Sequence, residues 1–298
     1  LIYIKDMEDL DWRILRIVEI CLKNHEWVPI QEIVKKAKLN QNEVSYRISR
    51  LIHIKMLNSS QYGYRISHWG YDALALDTYS KKDLIVGMGG KVGVGKEGDV
   101  YNVLLPDNRN AVLKFHKHGR TCFTMGKRYR NYLADKRHMS WLYSSRLSAE
   151  KEFEVLTALY PIVKVPEPIA NNRHTILMGK MEGTDLKKAN LHRLDLNPEE
   201  LFEEIIEEVK KAYKLGYIHG DLSEFNILIN SDGDFVIIDW PQVIEINDNK
   251  FKIEKISSKD VEYDVEYYLK RDIGNLLRYF KKYGLNKDLD TLYNYIIN

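Results

Sequence analysis

The sequence predicts an α+β protein in two parts, and three observations carry that expectation. Residues 8–76 read as short helical stretches interrupted by two short strands. Past residue 84 the pattern changes to strands, with glycines at 93–98 and a Pro106-Asp107-Asn108 turn. The second half sets one long helix, Ser148 to Tyr160, ahead of short apolar strands that lie close to Asp221 and Asp239.

Composition bounds the class. The 298 residues leave room for about two domains. At 44% apolar and 30% charged, the chain is an ordinary folded protein and not a disordered one. Cys21 and Cys122 are too few for a disulfide framework or a zinc site, which points to a reducing compartment. No apolar run has the length of a membrane span, and Leu1 to Lys5 lack the layout of a signal peptide, so the cytoplasm is the expected location. The net charge of +2 is unevenly spread. His116 to Leu147 holds eight Lys/Arg against Asp135 alone, a net +7, while Glu182 to Asn298 is net −8 with 16 Lys/Arg and 24 Asp/Glu. Cations interleaved with aromatics in the first of these suggest a polyanionic partner, with a merely solvated surface as the alternative.

The first element spans 8–23, where Leu10, Ile14, Ile17, Val18, Cys21 and Leu22 recur at helical spacing. Pro29 opens a second helix carrying Ile30, Ile33, Val34 and Ala37. The third runs from Asn42 to His53, with Val44, Ile48, Leu51 and Ile52 inward and Ser45, Arg47 and Arg50 outward. Residues 56–67 then read as two strands about a turn. Three helices and a hairpin make a winged helix over residues 1–83, whose third helix would enter a major groove through Arg47 and Arg50. The competing reading is a protein-docking module. With 13 Lys/Arg against 11 Asp/Glu over 1–84, the module is nearly neutral, which weakens strong phosphate binding. A further helix follows from Trp69 to Leu76, and Ser80 to Asp83 mark the boundary.

The second part, 84–298, opens with a strand at Leu84 to Met88. Gly93, Val94, Gly95, Lys96, Glu97, Gly98, Asp99 and Val100 follow as a complete G-x-G-x-x-G-x-V pattern. Glycine lets backbone approach phosphates closely. A dinucleotide-binding loop would open a helix, whereas here Val100 to Leu105 is a strand, followed by the turn and a third strand, Ala111 to Phe115, centred on Lys114. That is the order of a protein-kinase N-lobe, in which Lys114 bridges the α- and β-phosphates of ATP. Its carboxylate partner belongs on the next long helix. Of Glu150, Glu152 and Glu154, the apolar positions Ala149, Phe153, Leu156 and Leu159 favour Glu152.

His219-Gly220-Asp221-Leu222-Ser223-Glu224-Phe225-Asn226 has the spacing of the kinase catalytic loop. Asp221 would orient and deprotonate the attacking group, and Asn226 would hold a metal ion. The strand Phe235 to Ile238 ends in Asp239, at the place of the second metal-binding aspartate. Such hard oxygen ligands suit magnesium, with manganese as an alternative. Gly220 replaces the arginine that docks a phosphorylated activation loop, Trp240-Pro241 replaces Phe-Gly, and no Ala-Pro-Glu follows. The 59 residues after Asp239 are too few for the usual peptide-binding helices. The expected fold is thus a trimmed two-lobed protein-kinase-like domain, with lobes at about 84–178 and 179–298.

These residues resemble the RIO family of atypical kinases, in the subfamily with an N-terminal winged helix. The resemblance rests on Lys96-Glu97 in the glycine loop, Gly119-Arg120-Thr121, Ala149-Glu150-Lys151-Glu152-Phe153, His219-Gly220-Asp221 with Asn226, Ile238-Asp239-Trp240-Pro241-Gln242, and Gly70 to Leu74 after the wing. It covers nearly the whole chain. It implies an ATP- and magnesium-dependent serine/threonine kinase or ATPase that autophosphorylates and acts in maturation of the small ribosomal subunit. Asp239 would then be metal ligand and phosphoryl acceptor, and the basic segment with Arg120, Lys127, Arg128 and Arg130 would meet ribosomal RNA. The hinge would be Leu177 to Met181, with Met178 and Lys180 beside adenine and a glycine after Met178 where glutamate is common. Gly98 stands where family members often have serine. A nucleotide-binding RNA scaffold without essential chemistry is the alternative, as is a kinase acting on another polypeptide; oligomeric state is not legible.

Overall fold

The computed structural model describes residues 2–94, 98–117, 141–246 and 265–298. They form two compact units, one of Leu1–Leu147 with Asn171–Thr175, the other of Ser148–Ala170 with Ile176–Asn298.

The first unit opens with α1 (Asp9–Cys21), α2 (Ile30–Ala37), α3 (Gln41–His53), the hairpin β1 (Leu57–Ser60) and β2 (Gly63–Ile66), and α4 (His68–Lys81). Ile14, Leu15, Val18, Ile33, Val44 and Leu51 meet in its core. The Asn40 side chain caps α3 by accepting from the Glu43 N–H at 2.8 Å. Pro29, expected in the first turn of α2, is its N-cap. At Gly63, φ is 137° and a Cβ would lie 2.3 Å from the Val28 carbonyl oxygen, so only glycine fits the hairpin turn. Helix α4 outruns its expected end at Leu76 because Gly70 to Ala75 are buried on every side, which erases the helical period the sequence would show.

Three antiparallel strands follow: β3 (Gly87–Val94), β4 (Gly98–Leu104) and β5 (Asn110–His116). The expected strand at 84 thus starts later and continues through the glycines, with register irregularities between Met88 and Lys91 and between Lys91 and Gly93. The segment Asn171–Thr175 is tied to the helices. Arg173 grips both carboxylate oxygens of Glu19 at 2.6 and 2.8 Å and donates to the Leu74 carbonyl, and His174 Nε2 lies 2.7 Å from Asp72 Oδ1.

In the second unit, α5 (Trp141–Leu159) is included from Ser148 onward. Strands β6 (Pro168–Asn172), β7 (Thr175–Gly179) and β8 (Thr184–Asp185) precede α6 (Pro198–Lys214) and β9 (Tyr217–Ile218). Then come β10 (Ile227–Ile229), β11 (Phe235–Ile237), β12 (Ile244–Glu245), α7 (Val265–Phe280) and α8 (Leu289–Ile297). Strand β10 pairs antiparallel with β11 and β8, and β12 with β9. These short ladders flank the loop that starts at His219. The core below draws on Phe202, Ile205, Leu269, Ile273 and Phe280, with the Phe202 and Phe280 rings 5.3 Å apart. No helix among the described residues is long and apolar enough to cross a membrane.

Candidate active site

Lys114 lies opposite Val100 on the β4–β5 ladder and is only 7% exposed, a rare state for a lysine. Leu113 and Phe115 on either side of it are fully buried. Gly93 pairs with Val100 on the neighbouring ladder, and among the described residues no atom lies within 4 Å of where its Cβ would stand. Gly98 is the opposite case: a Cβ there would sit 2.2 Å from the Phe115 carbonyl oxygen. The close approach of β4 to β5 therefore leaves no room for a serine in this backbone. Asp99 pairs with Lys91 and Lys117, which hold it below the usual carboxylate range although its partial burial works the other way.

In the second unit the loop after β9 is held at every turn. The His219 ring bridges the loop, with Nδ1 3.3 Å from the Asp221 N–H and Nε2 2.9 Å from the Ile238 carbonyl oxygen. Gly220 adopts φ 78°. The Gly220 and Leu222 N–H groups donate to Asp272 Oδ2 and Oδ1 at 2.8 and 3.0 Å. Asn226 donates its side-chain amide to the Asp221 carbonyl at 2.8 Å, which leaves its own amide oxygen as the end that can face a cation. The Asp221 side chain is exposed. Asp272 is 1% exposed, and burial pushes its pKa up to about 6, against the opposing pull of His219, the two N–H groups and Arg271.

Asp239 lies two residues past β11, in the left-handed region at φ 68°, which costs a non-glycine residue roughly 1–2 kcal/mol. Trp240 beside it is buried, donates its indole N–H to the Ile237 carbonyl at 3.0 Å, and packs 4.6 Å from the His219 ring. Its backbone N–H donates to Glu152 Oε1 at 3.3 Å. Among the three glutamates weighed on α5, Glu152 is buried, Glu150 half-buried and Glu154 exposed. The oxygen-bearing side chains of Asn226 and Asp239 are of the type a magnesium ion takes. Met178 is buried at the end of β7, and Lys180 pairs with Glu182 at 2.6 Å. Gly179 donates its N–H to the Glu167 carbonyl at 2.8 Å, and a Cβ on it would meet the Glu167 Cβ at 3.1 Å, which disfavours a larger residue there.

Other expectations meet the structure differently. Arg47, expected on the outward face of α3, is turned inward and 9% exposed. Its guanidinium pairs with Glu8 and Glu43, each at 2.7 Å, and approaches Asp11 at 3.4 Å. Arg50 pairs with Glu8 at 3.0 Å and Asp11 at 2.9 Å. Asp11 is fully buried and needs these cations, so the helix that would read a groove has both arginines committed internally. Gly95, Lys96 and Glu97, the side chain of Val94, and Arg120, Lys127, Arg128 and Arg130 lie outside the described residues. Sequence reasoning missed Asp272 and Arg271, which lie in no motif. The signal was an aspartate at a position of α7 where the period of Leu269, Ile273, Leu276 and Phe280 calls for an apolar residue.

Comparison with known proteins decides the family. The RIO domain model matches residues 99–292, and the model of the Rio2 N-terminal domain matches residues 4–82. The chain belongs to the Rio2 branch of the RIO kinases. It is 56% identical over 282 residues to the RIO-type serine/threonine-protein kinase Rio2 of Methanocaldococcus jannaschii, covering 92% of this chain and 99% of that one. Against the serine/threonine-protein kinase RIO2 of Saccharomyces cerevisiae it is 34% identical, over 91% of this chain and 63% of the yeast protein. The crystal structure of the Rio2 kinase–ADP/Mg2+–phosphoaspartate complex from Chaetomium thermophilum superposes with a TM-score of 0.77 at 30% identity, over 98% of this chain and 87% of that one. The chain is accordingly a RIO-type protein kinase with an ATP-binding kinase fold. Within that Rio2 framework, the glycine at position 220 has a local cause: a Cβ there would lie 2.6 Å from the Gln242 carbonyl oxygen and 3.3 Å from Ile244 Cδ1.

Proposed function

We propose that this Rio2-family kinase turns over ATP by phosphorylating itself on Asp239, and that it acts on the maturing small ribosomal subunit. The observation that carries the chemistry is the hydrogen-bonded loop that presents an exposed Asp221 beside Asn226, with Asp239 in a strained backbone two residues past β11. On the sequence pattern, ATP contacts are assigned to Gly93, Val94, Gly95, Lys96, Glu97, Gly98, Val100 and Lys114 for the phosphates, to Glu152 as the carboxylate partner of the lysine, and to Met178 and Lys180 for adenine. Asn226 and Asp239 would hold magnesium, which supplies charge neutralisation for the phosphates when bound. In the transfer step an Asp239 carboxylate oxygen forms a bond to the γ-phosphorus as the bond to the β-bridging oxygen breaks and ADP leaves. Water then hydrolyses the acyl phosphate, with Asp221 taking its proton. The phosphoaspartate of the Chaetomium Rio2 complex supports this reading.

The partner follows from charge and kinship. The net +7 of His116 to Leu147 suits ribosomal RNA, and that segment is a better candidate than Arg47 and Arg50, which already pair with carboxylates. The same reading proposes a domain boundary at 83 and a cytoplasmic location.

The test is incubation with γ-labelled ATP and magnesium, scored for free phosphate and for label on the protein. Turnover with a hydroxylamine-labile label that vanishes in Asp239→Asn is expected. Nucleotide binding without any turnover or label would favour the scaffold reading instead.

A further inference from the structure

The peptide groups around Asp221 belong to no ladder or helix, so each buried N–H and C=O needs another partner. One helix supplies four of the six partners of Gly220, Asp221 and Leu222, and His219 and Asn226 supply the two of Asp221. On α7 the apolar residues Leu269, Ile273, Leu276 and Phe280 face the core, and Arg271, Asp272 and Asn275 are near neighbours on its surface, with Arg271 and Asn275 one turn apart. Asp272 takes the Gly220 and Leu222 N–H groups. The two carbonyls of the same residues are taken by its neighbours: Arg271 donates Nη2 to the Gly220 oxygen, and Asn275 donates its side-chain amide to the Leu222 oxygen at 3.0 Å. Each donor is itself held. The Arg271 guanidinium lies 5.0 Å over the Tyr268 ring, and Asn275 Oδ1 accepts from Arg278 at 3.3 Å.

We propose that Arg271 and Asn275 are positioning residues for phosphoryl transfer, fixing the peptide plane before Asp221 and the one after Leu222, and with them the course of the loop that aims the Asp221 carboxylate. The geometry explains how the loop does without an arginine of its own. Gly220 has no room for a side chain, yet its carbonyl still receives a guanidinium, delivered from α7. The Gly220 carbonyl belongs to the peptide attached to Asp221 and the Leu222 carbonyl to the peptide one residue further on, so losing Arg271 frees the first directly and losing Asn275 loosens the loop just beyond it. A charged donor to a carbonyl is also the stronger kind of hydrogen bond, which suits the residue nearer the tight turn. This inference rests on the reading of Asp221 as the catalytic aspartate.

The test compares Arg271→Met, Arg271→Lys and Asn275→Ala in the full chain, measuring ATP turnover, ATP affinity and thermal melting, with Asp221→Ala alongside. Misorientation should lower kcat roughly tenfold or more in Arg271→Met and Asn275→Ala while leaving ATP affinity within about twofold. Arg271→Lys, which keeps a cationic donor, should recover most of the loss. Unchanged kcat in both variants overturns the inference. So does a parallel fall of kcat, affinity and melting temperature that lysine fails to rescue, since that marks a merely structural role. Normal turnover in Asp221→Ala would instead remove the reading underneath. An inactive Asp221→Ala beside a fully active Arg271→Met and Asn275→Ala would sink the inference alone.

Discussion

The winged-helix module and the catalytic loop each bury an aspartate near arginines, and they use it differently. Asp11, on α1, faces Arg47 and Arg50 of α3, and the charges neutralise one another along with Glu8 and Glu43. Asp272, on α7, faces two backbone N–H groups, while Arg271 beside it faces a backbone carbonyl. Charge matched to charge fixes how two helices cross, and well-packed apolar residues of similar volume can do that as well. Charge matched to peptide groups fixes a loop, and no apolar side chain can replace it. The first arrangement is scaffold and the second is positioning, so their variants should fail in different assays.

The sharpest way to break the comparison is to crowd the loop directly. Gly220→Arg restores the residue of ordinary kinases, but it would put a Cβ 2.6 Å from the Gln242 carbonyl at φ 78°. Left-handed backbone alone costs an L-residue roughly 1–2 kcal/mol, and the clash adds to it. ATP turnover should fall by about a hundredfold or more, because the peptide next to Asp221 must shift. Wild-type turnover in this variant would mean that the loop is not held by its contacts.

A weaker perturbation is acid, and here the sign separates function from stability. The pKa of Asp272 rises from 3.8 to about 6 on folding. Above 6 the buried carboxylate accepts both N–H groups; protonated, it carries a hydrogen toward one of them. Turnover should therefore drop as pH falls through 6. Stability moves the other way. The folded state binds the proton more tightly than the unfolded chain, so this group's contribution improves as pH falls from about 6 to about 4, by roughly 3 kcal/mol in all. His219 and Arg271 face Asp272 and oppose the shift. Asp99, Glu8 and Asp288, whose pKa values are lowered, lose stability over acid pH, so the quantity to measure is wild type minus Asp272→Asn. A difference that is flat between pH 4 and 7 in both turnover and melting would remove Asp272 from the argument.

This contrast also marks what a reader of the sequence could see. The hairpin at 57–66, the β4–β5 pair around Lys114 and the His219 to Asn226 loop announce themselves through local pattern: alternation, glycine spacing and a fixed set of chemical groups. The apolar period of α5 set Glu152 apart from Glu150 and Glu154 as the inward one, and it is the buried one of the three. Arg47 defeated the same reasoning, since a helical wheel places it outward and only the distant Glu8 and Asp11 turn it inward. Asp272 left one hint, an acid where the period of α7 calls for an apolar residue, and Arg271 left none. Their partners lie about 50 residues earlier, and the groups they bind are backbone, which has no sequence signature.

The mildest test for catalysis is the most informative for the module. Arg47→Met keeps the aliphatic bulk of the side chain but removes the cation that pairs with Glu43 and Glu8 and approaches the fully buried Asp11. Arg50 still reaches Asp11 at 2.9 Å, so the aspartate is not abandoned, and the expected loss is about 2–3 kcal/mol of module stability, below the cost of an unpaired buried charge. Turnover of ATP at a temperature where both proteins are folded should be unchanged. Pairing the substitution with Asp11→Leu should return much of the lost stability, because the pair exists to satisfy itself. A double variant that melts lower than Arg47→Met would show that Asp11 has a further role, and would move the winged-helix network from scaffold toward the kind of positioning seen at Asp272.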